Sequence, residues 1–309
     1  MNTKWTFHKE RNLQEAIADG WRFLAIYWRA YFKSLWCYLL LAGSACALLW
    51  QLLMDALMQH ALPALRLSQA GADSEVVKAA AWPDWTWLLY LITGTLLSLS
   101  LGWLCLGRTL HLIERTAQAE RLVRPLRLSL QACECSAARR VALTDCVLGT
   151  LMLALAAGIG YAAWKWSVWV ALLLPLLLIY IGAAITTARV LYGLGQLSPG
   201  RALLLALGRC WGRTFVVQLL LFFPFVLLCV AAALAPMSQL GVWCAATDSW
   251  LLGDGLGLPQ GLALLYFALN TVAFSFILLC HTWLLWPLAL YPYVQHAAQP
   301  EAETCQARR

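Results

Sequence analysis

Residues 13–36, "LQEAIADGWRFLAIYWRAYFKSLW", carry a charge on almost every helical turn yet are dense in Trp, Tyr and Phe. The stretch is too polar to cross a bilayer and too apolar to be a solvated tail. Leu13, Ala16, Ile17, Leu24, Trp28, Tyr31 and Leu35 recur at spacings of mostly three, four or seven. Glu15, Asp19, Arg22, Arg29 and Lys33 recur at similar spacings on another side. One helix with two faces accommodates both sets. A basic amphipathic helix flanked by aromatic residues lies in the plane of the membrane interface. The expectation is an interfacial helix over 13–33 that bends into a span near Leu35. Trp28 and Tyr31 would anchor it toward lipid or bundle, with Arg22 and Arg29 toward water and headgroups.

The rest of the chain explains why such a helix is needed. The protein is 62% hydrophobic and 12% charged, whereas a soluble domain is nearer 45–50% and about 25%. Apolar runs of about 20 residues without charge read as membrane spans. Six occur, at about 35–57, 86–107, 141–162, 167–188, 214–235 and 262–288. The longest remaining pieces, 1–34 and 108–140, fall short of the roughly 50 residues at which soluble domains begin. The first apolar run has full span length, so it is read as its own insertion signal and not as a cleavable peptide.

The net charge of +7 follows the membrane and is no footprint of nucleic acid. All but three of the 22 Lys and Arg (Arg66, Lys78 and Lys165) fall on one side of the six spans. The positive-inside rule then puts both termini in the cytoplasm, as an even number of spans requires. Trp82, Trp85, Trp164 and Trp243 would belong to the outer aromatic belt, and Trp36, Trp211 and Trp283 to the inner one. The expected location is a bacterial cytoplasmic (inner) membrane.

The order seen at 13–36 recurs. Residues 122–140, "LVRPLRLSLQACECSAARR", precede span 3, and residues 199–213, "PGRALLLALGRCWGR", precede span 5. Pro125, Pro199 and Gly200 lie near the starts of these segments, where helices tolerate them. The expected fold is an all-α membrane protein, one integral membrane domain over 1–309. It has six transmembrane helices and three amphipathic interfacial helices, each preceding an odd-numbered span. The bland alternative is that basic segments collect beside spans through the positive-inside bias alone.

The opening Asn12-Leu13-Gln14-Glu15-Ala16-Ile17, the aromatic interfacial helix and the helix–span–span order resemble a group of uncharacterised bacterial integral membrane proteins. More distantly they resemble the membrane domain attached to some glycerophosphodiester phosphodiesterases. Those enzymes carry their catalytic acids and histidines in a separate soluble domain, so the resemblance implies a membrane module without the enzyme.

Few residues offer chemistry. Ionisable side chains inside spans are functional candidates because burying charge in lipid is costly. Asp145, near the cytoplasmic end of span 3, is one, and its bland reading is an interfacial acid or local ion pair. His281, at similar depth in span 6, is another, and its bland reading is a hydrogen-bonded packing residue; Asp55, near the external end of span 1, reads as an interfacial carboxylate. Gly94, Ser98 and Gly102 form a small-residue stripe on span 2, read as a helix-packing surface. Of the eleven cysteines, Cys133 and Cys135 form a C-x-C pair with too few ligands for a metal. No P-loop, nucleophile elbow or H-E-x-x-H occurs. No catalytic, cofactor or metal site is therefore expected. The reading is a non-enzymatic membrane scaffold, assembly or membrane-organising protein, with a small-solute or lipid transporter as the alternative. Its expected partners are membrane lipids and either a second copy or another membrane protein, with no nucleic acid.

Overall fold

A helix persists until a residue removes a backbone hydrogen bond or leaves the helical region, and this chain has long stretches with neither. Residues 21–42 contain no Gly or Pro. A computed structural model describes residues 13–81, 85–118, 132–165, 173–193, 198–208, 211–251 and 260–289. Helix α1 runs unbroken from Leu13 to Ala56. At 1.5 Å per residue it is about 66 Å long, twice a hydrocarbon core. The expected interfacial helix over 13–33 is thus not a separate element. It is the first half of the same helix that carries the first apolar run, with no bend into a new element near Leu35.

The other helices are α2 (Leu62–Gln69), α3 (Ser74–Ala81), α4 (Trp85–Gln118), α5 (Ala132–Lys165), α6 (Leu173–Gly193), α7 (Pro199–Leu207), α8 (Trp211–Leu251) and α9 (Gln260–Ala289). Among the described residues there is no strand. A π-helical turn, Leu57–Ala61, joins α1 to α2, so most of the described stretch between the first two apolar runs is helical. The positive φ of Gly71 turns the chain between α2 and α3. Five stretches are long and apolar enough to cross a membrane: Ala25–Ala56, Trp85–Thr116, Ala132–Ala162, Leu228–Ala245 and Gly261–Trp283. The predicted fourth span, 167–188, lies partly outside the described residues.

The second and third basic segments behave differently from each other. Residues 122–131 lie outside the described part, and 132–140 are the first turns of α5, continuous with the third apolar run. Residues 199–207 do form a separate short helix, which ends at Gly208 with φ −114° and ψ −98°. The Trp211 N–H then donates to the Gly208 carbonyl at 3.1 Å and α8 begins. At the first segment the expected elbow is absent, and among the described residues only the third segment is a helix of its own.

The chain divides into two compact units. The first holds the described residues of Met1–Trp36, Trp103–Phe225 and His281–Arg309. In it, α4 and α5 touch at backbone distance, since a Cβ on Gly107 would lie 2.5 Å from the Ala138 nitrogen. Trp211 stacks between Tyr180 and Phe215, at 4.8 and 5.0 Å between ring centroids. Its indole donates to the Tyr180 carbonyl at 2.9 Å, and the Tyr180 hydroxyl donates to the Leu207 carbonyl. These contacts seat the break between α7 and α8. The second unit holds Cys37–Gly102 and Val226–Cys280. There α1 and α9 cross at Gly43, where a Cβ would lie 2.7 Å from the Thr271 carbonyl oxygen. Ser275 bonds the Leu39 carbonyl at 3.0 Å beside that crossing.

Candidate functional site

Burying a guanidinium is costly unless its donors and its charge are met. The first unit does this twice. Arg189 comes from α6, where apolar Val190 and Leu191 continue the helix past it and leave the side chain inside. Its Nε donates to Asp145 Oδ1 at 2.7 Å and its Nη2 to Oδ2 at 2.9 Å, a bidentate fork across α5 and α6. The third nitrogen, Nη1, bonds His281 Nε2 from α9. Trp103 from α4 donates its indole N–H to Asp145 Oδ2 at 2.9 Å. The carboxylate thus accepts three hydrogen bonds. Because arginine stays protonated, His281 Nε2 is the acceptor and the ring proton sits on Nδ1. The Arg189 and Asp145 side chains are 15% and 16% exposed.

The second pair lies deeper. Arg108 on α4 bonds Glu134 on α5 at 2.8 Å, and both side chains are 1% exposed. Its Nε also donates to the Ser34 carbonyl of α1 at 2.7 Å, so one side chain joins three helices. Close by in the chain, Tyr31 of α1 is buried, bonds the Thr282 hydroxyl and packs its ring 6.1 Å from Trp283.

Asp145 and His281, 136 positions apart in sequence, meet on one guanidinium. Of the expected anchors, Tyr31 faces the bundle. Trp28 is 49% exposed with the Arg29 guanidinium 5.5 Å from its ring centre, and Arg22 and Arg29 are exposed. The stripe on α4 is split. Gly94 sits against Leu49 and Leu52 at 3.5 and 3.6 Å and Ser98 is buried, but nothing lies within 4 Å of a Cβ on Gly102. The closest crossings fall instead at Gly43 and Gly107.

Sequence reading places Arg108 and Arg189 with the basic residues on the cytoplasmic side of the spans. Their signal was available: each has apolar residues on both sides at helical spacing, so the helix carries it inward. Trp103 falls inside the second apolar run and gave no signal. Among the described residues no group of three or more His, Cys, Asp and Glu is placed to hold a metal. What the arrangement does chemically is cross-link. Arg189 uses all three of its nitrogens, and the acid it meets is shared with an indole. The fold and this interior define a helical, multi-pass membrane protein. Compared with models of known families, with curated proteins and with solved structures, the chain matches none.

Proposed function

We propose that the chain is a non-enzymatic integral membrane module, acting as a scaffold, assembly or membrane-organising protein. One observation carries this reading. Among the described residues, the two arginines drawn into the first unit are each met by an acid, Arg189 by Asp145 with His281 as a further acceptor, and Arg108 by Glu134 with the Ser34 carbonyl. A bundle cross-linked in this way presents its lipid-facing surface and basic ends to partners. Those partners are anionic lipid and either a second copy or another membrane protein. The exposed Arg22, Arg29 and Arg201 supply headgroup contacts of about 1 kcal/mol each. In the finer picture six spans cross a bacterial inner membrane, with both termini cytoplasmic.

Copurification from native membranes tests the function. A stoichiometric protein or lipid companion is expected. Solute flux through proteoliposomes containing this chain alone, lost in Asp145→Asn, would replace the scaffold with a transporter. For the topology, a cysteine placed at Ser74 in a cysteine-free background should react with an impermeant reagent in intact cells, and one at Ser136 should not. The reverse pattern inverts the orientation.

A further inference from the structure

Cys133 belongs to a C-x-C pair that spacing alone makes unremarkable, but the fold gives it a neighbour. His111 on α4 places Nε2 3.4 Å from the Cys133 sulfur on α5. On the other side of the same ring, Nδ1 lies 3.7 Å from Glu114 Oε2. The order thiol, imidazole, carboxylate is the one that activates a cysteine. The ring accepts the thiol proton on one nitrogen while the acid attracts the imidazolium from the other. The His111 side chain is 12% exposed, which limits its freedom, whereas Cys133 is exposed and can be reached. Cys135 is exposed too, but the helical period sets it about 200° further round the axis.

We propose that Cys133 is a nucleophilic thiol with His111 as its base, and that it accepts an acyl group from a long-chain acyl thioester. The position selects this chemistry. Cys133 begins one membrane-length stretch, and His111 lies near the end of another. Positions 133, 140, 147 and 151 share one stripe of α5, and Arg140 stands on it between Cys133 and the apolar residues. Beyond Arg140, Val147 and Leu151 are 48% and 38% exposed and offer apolar surface to the far end of an acyl chain. The exposed Arg139 nearby suits a donor carried on a phosphate-bearing coenzyme. In the reaction the thiol proton passes to His111 Nε2 and the Cys133 sulfur attacks the thioester carbonyl. A new carbon–sulfur bond forms, the bond to the coenzyme sulfur breaks, and the departing thiolate takes the proton from His111. No oxidation occurs.

The test uses the full chain in lipid nanodiscs with an alkynyl palmitoyl thioester of coenzyme A as the probe. Label should appear on Cys133, be released by neutral hydroxylamine and vanish in Cys133→Ser. It should fall roughly tenfold in His111→Gln and persist in Cys135→Ser. Alkylation by maleimide near neutral pH should be roughly tenfold faster at Cys133 than at Cys135, and His111→Gln should level the two. Glu114→Gln, at a half-exposed position, gives the same readout at about two- to threefold if His111→Gln does not fold. Equal alkylation at the two cysteines, or labelling that survives Cys133→Ser, overturns the proposal. A fast, His111-dependent thiol that takes no acyl group overturns the acyl assignment.

Discussion

Arg108–Glu134 and Arg189–Asp145 join the same two groups at nearly the same distance, 2.8 and 2.7 Å. They differ in what surrounds them. The first pair is 1% exposed at both side chains, and its third partner is a backbone carbonyl that cannot move away. The second is 15% and 16% exposed, and its further partners are an imidazole and an indole on separate helices. Attraction between charges strengthens as water is removed, but the cost of leaving either charge alone rises faster. The first pair should therefore be the less forgiving of loss, and the second the one that tolerates a change of charge.

The largest effect is expected at the buried pair. Glu134→Ala leaves Arg108 uncompensated and should destabilise the protein by about 3–5 kcal/mol, read as unfolding in mixed micelles. The double variant Arg108→Met with Glu134→Leu should recover most of that loss. An equal loss in single and double variants would show that volume, and not charge, carries the site. Next comes the crossing beside it. Gly107→Ala puts a methyl against the α5 backbone and should cost about 1–3 kcal/mol. Gly102→Ala, about a turn and a half away with nothing within 4 Å of its Cβ, should be neutral or slightly stabilising. If the two glycines respond alike, the α4–α5 contact does not lie where the buried pair requires it.

Asp145→Asn keeps the shape of the second cluster and removes its charge. The loss should be about 1–3 kcal/mol, smaller than for Glu134→Ala. A cost equal to that of Glu134→Ala would break the distinction between the pairs. His281→Gln, whose amide oxygen can still accept from Arg189, should cost under about 1 kcal/mol. The smallest effect belongs to the exposed Trp28–Arg29 contact. Arg29→Ala should change stability by about 0.5–1 kcal/mol at most.

Amphipathicity suggested three interfacial helices, and breaker residues decided the outcome at the first and the third. From Trp21 to Ala42 there is no Gly or Pro, so α1 passes through the expected junction. There the Ser34 hydroxyl bonds back to the Ala30 carbonyl at 2.6 Å within the continuing helix. The segment at 199–207 begins with Pro and Gly, ends at Gly208, and is a helix of its own. The polarity of 13–33 was a poor guide to where the helix ends, and the membrane-length apolar stretch begins at Ala25, inside that segment. These are separate properties: one reports solvent, the other the backbone.

By itself the sequence determined the class of the protein and where its apolar stretches lie. Hydropathy and helix formation act over one or two turns, and local information is enough for both. It also singled out Asp145 and His281, because an ionisable residue in an apolar run is conspicuous wherever it later packs. Only the tertiary structure decided their partner. Arg189 lies 44 positions from Asp145 and 92 from His281, and Arg108 lies 26 from Glu134 and 74 from the Ser34 carbonyl. A local pattern has no term for such separations. Which cation meets which acid is settled by how closely helices approach, and here a missing side chain at Gly107 lets α4 and α5 touch beside the buried pair.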